Sequence, residues 1–565
     1  MQQAAPVLAT PDVTDGAPLA APDDTPPLAA PGNAPPLAAQ DDTPPLAWAD
    51  GSGAAKWMKA LPLAGVGQAY AALLGQLRAM TAAEIPPRER ATIAELAREP
   101  VAHLHAELAR RYAGKPQPAG EREREAADQA IALWQALWVQ YSSCLKPLLE
   151  GDTELQGVKA KLLERALYVG KQLLIVHGLA RRVAPPALWQ ELHAYYRLAE
   201  MLDCTTVGVS DTLMPEADGL SCYSMYSHAL LIALADPYAL SMRQIELVDR
   251  WLSQWARKLF PYAQQRESEG ALVVVDLEGE YGAVLANAAP ASPSASTRFG
   301  YPAKLATSVR GRLKRLANGS APADLQLGDD VSADAAVALL AHLDRHWLQA
   351  PRNVQRTKSR AIELAAGGTP AAYFRVAGRS FARQDPLGRD NENPTKYLQT
   401  VGGITDFDRH REEAERNWPW EKWYGAAAWR EAAVKHPGAT HYEWFLDQLV
   451  VVREDGRVRL GHVSRLAAEG EGELALSVRI WAGDPRGYAV RMVNQDRTED
   501  PPTPALLLSG TPEEPSTLVM SPRGFDPGRI MRVDEMGGGR RFRLLRIVQR
   551  GADFERVVFE AVEDD

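Results

Sequence analysis

Cysteine is scarce in this 565-residue chain: Cys144, Cys204 and Cys222 are all there is, and no two stand in a Cys-x-x-Cys spacing. So few thiols exclude a disulfide framework and a cysteine-built structural zinc site, and they fit a reducing compartment. Positive charge is not in excess either. With 63 Lys and Arg against 72 Asp and Glu, the formal net charge is −9. That excludes a surface basic all over, of the kind that coats nucleic acid or anionic lipid, and confines any anion site to a local patch. No apolar run reaches the roughly 18 residues that a membrane-spanning helix needs, and no basic segment followed by an apolar stretch opens the chain. The expectation is a cytoplasmic protein with no integral membrane segment and no nucleic-acid partner.

What is present is an ordinary globular composition, 46% hydrophobic and 24% charged, with length for about three to four domain-sized units. Between residues 15 and 49 a degenerate nine-residue repeat appears as DGAPLAAP, DDTPPLAAP, GNAPPLAAQ and DDTPPLAWA. Its proline pairs remove backbone donors and hold the chain extended, and one Leu per repeat buries too little area to form a solenoid core. Residues 1–50 are therefore expected to be a disordered tail.

From residue 51 to 262 the apolar spacing is helical, as in Ala69, Leu73, Leu74, Leu77 and Ile93, Leu96, Val101, Leu104, Leu108. Further helices are expected over 121–149, 152–182, 185–203, 217–235 and 241–260, with Pro185-Pro186 at a helix start and Ser241 as an N-cap. No helical-hairpin period recurs, so a non-repeating bundle is expected. Residues 263–350 read as a mixed connecting region, with a strand pair over 271–275 and 281–285, a loop over 287–296 and a helix over 333–349. From 351 to 565 the chain is strand-rich, beginning with a strand over 372–376 and continuing through many short strands between Gly and Pro turns. That pattern indicates a barrel or sandwich. Residues 380–445, with Trp418, Trp420, Trp423 and Trp429, read as an insertion within it, packed on the barrel or presented to a partner. The fold class is thus multidomain α + β: disordered tail, helical bundle-like domain, C-terminal β-barrel unit.

One constellation stands out for its chemistry. In Pro351-Arg352-Asn353-Val354-Gln355-Arg356-Thr357-Lys358-Ser359-Arg360 three arginines recur every four residues just ahead of a strand. That spacing puts all three on one face, whether the segment is helical or extended. Guanidinium groups grip phosphates bidentately and stack on purine rings, which suits a nucleotide with two phosphates; a solvated basic face at a domain junction is the competing reading. Catalytic arrangements are weaker. Gly537-Gly538-Gly539 lacks the Gly-Lys-Ser/Thr ending of a phosphate-binding loop and reads as a hairpin turn. His103 and His105 fall on different helix faces and make a poor metal pair. Asp276, Glu278 and Glu280 read as a charged hairpin tip, and Cys204 with His177 and His228 carries no nucleophile signature. No catalytic residue, metal or cofactor is expected, and the chain reads as non-enzymatic.

The paired Arg-x-x-x-Arg motifs opened by Arg352 and Arg356, leading into a β unit, resemble the N-terminal motif of PilZ domains, bacterial receptors for cyclic di-GMP. The run Val458 to Leu466 (VRLGHVSRL), with Ala475 to Val478 and Ala505 to Leu508, is similar to the C-terminal half of large proteobacterial PilZ-containing proteins. Their helical N-terminal region resembles Trp57 to Pro62 (WMKALP) and Ala233 to Tyr238 (ALADPY) here. The resemblance implies a signalling or adaptor protein in which Arg352, Arg356 and Arg360 hold cyclic di-GMP while the helical domain contacts other proteins; a degenerate scaffold that binds no nucleotide is the alternative. The second PilZ motif, (Asp/Asn)-x-Ser-x-x-Gly, has no complete copy, and its nearest placement, Ala433 to Gly438, keeps only the final Gly. Each hydrogen bond missing there costs about 1 to 3 kcal/mol of ligand affinity. On this reading, proteolytic removal of residues 1–47 leaves a folded remainder with an unchanged melting temperature, measured by calorimetry.

Overall fold

The computed structural model describes residues 44–215, 217, 219–267, 270–350, 359–379, 381, 406–428, 430–470, 472–494, 498–534 and 540–562. These fall into two compact units: residues up to Lys115 and from Ala119 to Ala350, and Pro116–Pro118 with the residues from Ser359 onward.

The first unit is built on ten helices in sequence: α1 (Gly51–Lys59), α2 (Val66–Ala82), α3 (Pro87–Tyr112), α4 (Glu121–Ser142), α5 (Leu145–Leu149), α6 (Thr153–Gln156), α7 (Lys159–Leu179), α8 (Pro186–Met201), α9 (Cys222–Leu234) and α10 (Met242–Trp255). Starts follow local chemistry. Pro87 and Pro186 occupy first-turn positions, and Ser221 and Ser241 form capping boxes with Ser224 and Gln244. Helix α10 buries Ile245, Val248, Trp251, Leu252 and Trp255 on one stripe, whereas α7 is buried on nearly every side from Leu162 to Leu179 and forms the centre of the bundle. A small antiparallel sheet follows, ordered β2-β1-β3, with β1 at Leu272–Asp276, β2 at Val284–Ala286 and β3 at Thr297–Gly300. Two more helices complete the unit, α11 (Ala303–Ala317) and α12 (Ala333–Leu348). Helix α11 was not foreseen: among its basic residues Leu305, Val309 and Leu316 alone are buried, a sparse apolar signal.

Of the expected tail, residues 1–43 lie outside the described residues. Residues 44–50 belong to the fold, which corrects the expected boundary: a cut after residue 47 removes chain bonded to Gln76 and is expected to lower the melting temperature rather than leave it unchanged. Trp48 is 5% exposed and packs edge-on against Trp57, with ring centroids 5.0 Å apart. Asp50 caps α1 through the Gly53 N–H at 2.7 Å. The reason is one substitution within the repeat: an indole where the other copies carry Ala, supplying the apolar area that one Leu per repeat lacks.

The strand-rich half is two closed six-stranded barrels. The first comprises β4 (Arg360–Ala365), then helices α13 (Gly368–Ala377) and α14 (Asp406–Asn417), and then β5 (Glu421–Ala428), β6 (Glu431–His436), β7 (Leu449–Glu454), β8 (Arg457–Glu469) and β9 (Glu473–Ile480). The second comprises β10 (Pro485–Val493), β11 (Thr503–Leu508), β12 (Thr517–Met520), β13 (Ile530–Asp534), β14 (Arg540–Arg550) and β15 (Glu555–Val562). Their orders, β4-β5-β6-β9-β8-β7 and β10-β11-β12-β15-β14-β13, are the same topology used twice, with antiparallel pairing throughout.

Two expectations change here. The strand expected over 372–376 is helix α13, with Ala371, Ala372, Tyr373 and Phe374 buried. A short apolar run has no period of its own, and contacts with β7, β10 and β11 select the helix. Residues 421–428 and 431–436, expected within an insertion, are barrel strands β5 and β6. Trp423 is fully buried and meets Trp444 edge-on at 5.2 Å, so it packs the barrel. Trp429 and the Gly537–Gly539 turn lie outside the described residues, although β13 and β14 on either side of the latter pair antiparallel. The two barrels share apolar packing: Leu506, Leu508, Val519 and Phe554 of the second join the core of the first.

Gly425 and Gly461 allow the first barrel to close tightly. A Cβ on Gly461 would stand 2.4 Å from the Arg479 carbonyl oxygen, and one on Gly425 would stand 2.0 Å from that of Ala433. Gly461→Ala is therefore expected to disrupt the β8–β9 pairing. Trp423→Ala, which leaves a cavity, is expected to cost about 3 to 5 kcal/mol. Both effects are read from denaturant midpoints.

Candidate functional site

The arginine run ends where the first barrel begins. Arg352 and Arg356 lie outside the described residues; Arg360 is the first residue of β4, and its side chain is 45% exposed. Strand β4 is held between β5 and β7, with Arg360 opposite Gly425 and Glu363 opposite Arg453. Extending that register brings the start of β4 to the β7–β8 turn, and the Arg360 guanidinium bonds the Glu454 carboxylate and reaches Asp455 at 3.5 Å. Glu454 is shared, because Arg459 bonds it as well. The mouth of the barrel is thus an Arg–carboxylate–Arg arrangement: its guanidinium donors suit phosphate, but at Arg360 they already have anionic partners.

Beside it on the outer face lies a second arginine cluster. Arg453 bonds Glu363 at 2.6 Å and stands 4.3 Å over the ring of Trp420. Arg375, from α13, lies 5.0 Å from the same ring, bonds Glu415 at 2.7 Å and donates to the Trp418 carbonyl at 3.0 Å. The hydrogen bond from Arg453 holds the Glu363 carboxyl below its ordinary range. Trp420 therefore has two cations against its ring. Sequence reading pointed to the tryptophans but not to Arg375 and Arg453, which are far apart along the chain and come together only through the register. At the place of the second PilZ motif, Val434 is a buried core residue of β6, Lys435 bonds Glu469, and His436 Nδ1 contacts the Gly438 carbonyl at 3.0 Å.

The helical unit holds a network of buried charges. Arg98 bonds Asp211 bidentately at 2.9 and 2.6 Å. Arg165 bonds Glu95 and Glu164 and donates to the Ser210 carbonyl at 2.8 Å. Burial opposes ionisation of Glu95, but the hydrogen bond and charge of Arg165, with Arg98 and Lys161, bring its pKa down to about 2. These arginines tie down the long connection between α8 and α9. Nearby, Asp249 accepts from Lys171 at 2.8 Å and lies 2.8 Å from His228 Nε2.

The residues weighed for catalysis are placed as follows. His105 stands edge-on to Trp134 at 5.8 Å. Asp276 accepts from the Glu278 N–H at 3.1 Å within the β1 turn. Cys204 is a buried free thiol, and Cys222 Sγ donates to the Ala160 carbonyl at 3.5 Å. Among the described residues no group of three His, Cys, Asp or Glu is placed to hold a metal ion, and no helix is long and apolar enough to cross a membrane.

Residues 52–261 match the family model described as cyclic-di-GMP receptor FimW, N-terminal domain, and residues 488–562 match the model described as FimW C-terminal beta-barrel domain. Two separate segments of the chain are thus FimW-like. No match was found among curated proteins or among solved structures. The FimW-like N-terminal match covers α1 to α10, and the C-terminal match covers the second barrel almost entirely. The first barrel, with Arg360 at its mouth, lies between the two matched segments.

Buried histidines give the FimW-like helical unit a pH dependence. Burial pushes the pKa of His105 and of His177 down to about 4, with Arg182 adding to the effect at His177. Between about 4 and the unfolded value of about 6.5 the unfolded chain binds more protons, so stability falls as pH drops through that window. Glu95 adds a further loss, from about 4.5 down to about 2. The melting temperature is expected to decline from pH 7 to pH 4, and His105→Phe to flatten that decline; a pH-independent melting temperature would contradict this.

Proposed function

We propose that this chain is a non-enzymatic cytoplasmic signalling adaptor. In this reading the first barrel is PilZ-like and binds cyclic di-GMP through Arg352, Arg356 and Arg360, and the helical unit contacts other proteins. The observation that carries the reading is one of position. The arginine run opens onto the first strand of a closed six-stranded barrel, in a chain whose flanking segments resemble the two domains of a cyclic-di-GMP receptor family. Three guanidinium groups recurring every four residues match a ligand with two phosphates and two purine faces.

A second reading is favoured by two particulars. Arg360 is engaged by Glu454 and Asp455, and the place of the guanine-reading motif is taken by Val434 and Lys435. In that reading the barrel is a degenerate scaffold that binds only proteins.

Calorimetry with cyclic di-GMP separates the two. Under the first, Arg356→Ala and Arg360→Ala each lower affinity by about tenfold or more, since hydrogen bonds to charged groups are worth about 1.5 to 3 kcal/mol. Binding also weakens with salt and discriminates poorly between guanine and adenine dinucleotides, because it rests on phosphate contacts. Absence of heat at low salt and high ligand concentration removes the first reading and leaves the scaffold.

A further inference from the structure

The last copy of the N-terminal repeat is bound by the helical unit, and what binds it is what the copies have in common. On their nine-residue period the copies read Ala17-Pro18-Leu19-Ala20, Pro26-Pro27-Leu28-Ala29, Pro35-Pro36-Leu37-Ala38 and Pro44-Pro45-Leu46-Ala47. Gln76 of α2, itself 6% exposed, grips the fourth copy at two backbone points. Its Nε2 donates to the Pro45 carbonyl at 3.1 Å, and its Oε1 accepts from the Ala47 N–H at 2.7 Å. Between those points Leu46 packs against the helical core. Before them, Pro44 lies over Gly75, where a Cβ would stand 3.0 Å from the proline Cγ. A carbonyl, an N–H two residues later, a Leu between them and a preceding Pro are therefore what this groove reads. The second and third copies supply all four features. At the place of Trp48 the other copies have Ala21, Ala30 and Ala39, and at that of Ala49 they have Pro22, Pro31 and Gln40; of these two differences only the indole adds a large apolar side chain.

The geometry points to a receptor groove on α2 for Pro-Pro-Leu-Ala segments, with the second and third repeat copies of the same chain as alternative occupants to the fourth. Seating Pro35–Ala38 requires residues 39 to 50 to loop out, and loop-closure entropy rises only slowly with length. The tether keeps each copy at an effective concentration on the order of millimolar, so the chain's own copies outcompete those of a second chain. Trp48 then sets the register. Its burial holds the fourth copy in place, and without it the copies that share the four features compete for one groove. The repeat thus serves as a series of interchangeable ligands for the domain it precedes.

Disulfide trapping in the full chain tests this, the three native cysteines being buried. Gly75→Cys is combined with Pro44→Cys, Pro35→Cys or, off register, Gly32→Cys, and oxidised with diamide. The 75–44 bond is expected to form nearly completely. With Trp48→Ala added, the 75–35 bond is expected to form at least tenfold faster than the 75–32 bond. Equal rates at 35 and 32, or bonds found only between chains, overturn the proposal.

A second measurement leaves Gly75 unchanged. The groove is vacated in the full chain by Leu19→Gly, Leu28→Gly, Leu37→Gly, Leu46→Gly and Trp48→Gly, and the protein is titrated with a fluorescent peptide of residues 23–31. Binding at least tenfold tighter than that of the same peptide with Pro27→Gly and Leu28→Gly, and lost on adding Gln76→Ala, supports the groove. Indistinguishable binding of the two peptides refutes it.

Discussion

Closure of the first barrel through the short pairing of β4 with β7 is the constraint on which the candidate site depends. Only Glu363, Leu364 and Ala365 pair with β7, yet that register fixes where the arginine run ends. Because side chains alternate along a strand, Ile362 and Leu364 fill the core while Glu363 faces outward to Arg453. A shift of one residue would exchange those roles and carry Arg360 away from Glu454 and Asp455. The electrostatics at the barrel mouth are therefore a consequence of backbone pairing.

The second barrel repeats the strand order of the first and gives up part of its outer surface to it. Leu506, Leu508 and Val519 are buried against the first barrel's core, and the β14–β15 turn is pinned by Asp553, whose carboxylate accepts from the Leu449 N–H at 2.8 Å. Burial raises the pKa of that carboxyl to about 6. Helix α13 contacts both barrels, which explains how a stretch of Ala, Tyr, Phe and Val became helical: a helix can offer apolar side chains to neighbours on several sides, whereas a strand offers two faces.

The helical unit handles charge differently. Arg98 and Arg165 are both almost fully buried and surrounded by Glu95, Glu164 and Asp211. Removing one partner from such a group leaves an uncompensated buried charge, which is why the network binds the α8–α9 connection firmly. The same low-dielectric interior keeps His105 and His177 neutral, so the unit's stability and its acid sensitivity have a common origin.

Much of this was legible in the sequence. Apolar spacing located α8, α9 and α10 within five residues at either end, because helices with a regular buried face carry their period openly, but it ran α4 into α5 and α6 into α7. Short strands between Gly and Pro turns indicated a barrel or a sandwich. Tertiary structure alone decided the rest. It divided one strand-rich half into two barrels, because closure depends on pairings between residues distant in sequence. It turned 372–376 into a helix, brought Arg375 and Arg453 onto Trp420, and gave Arg360 two carboxylates. It also drew the end of a proline repeat into the fold, because the value of an indole at Trp48 depends on Trp57 and Gln76 being there to receive it, and no local pattern records that.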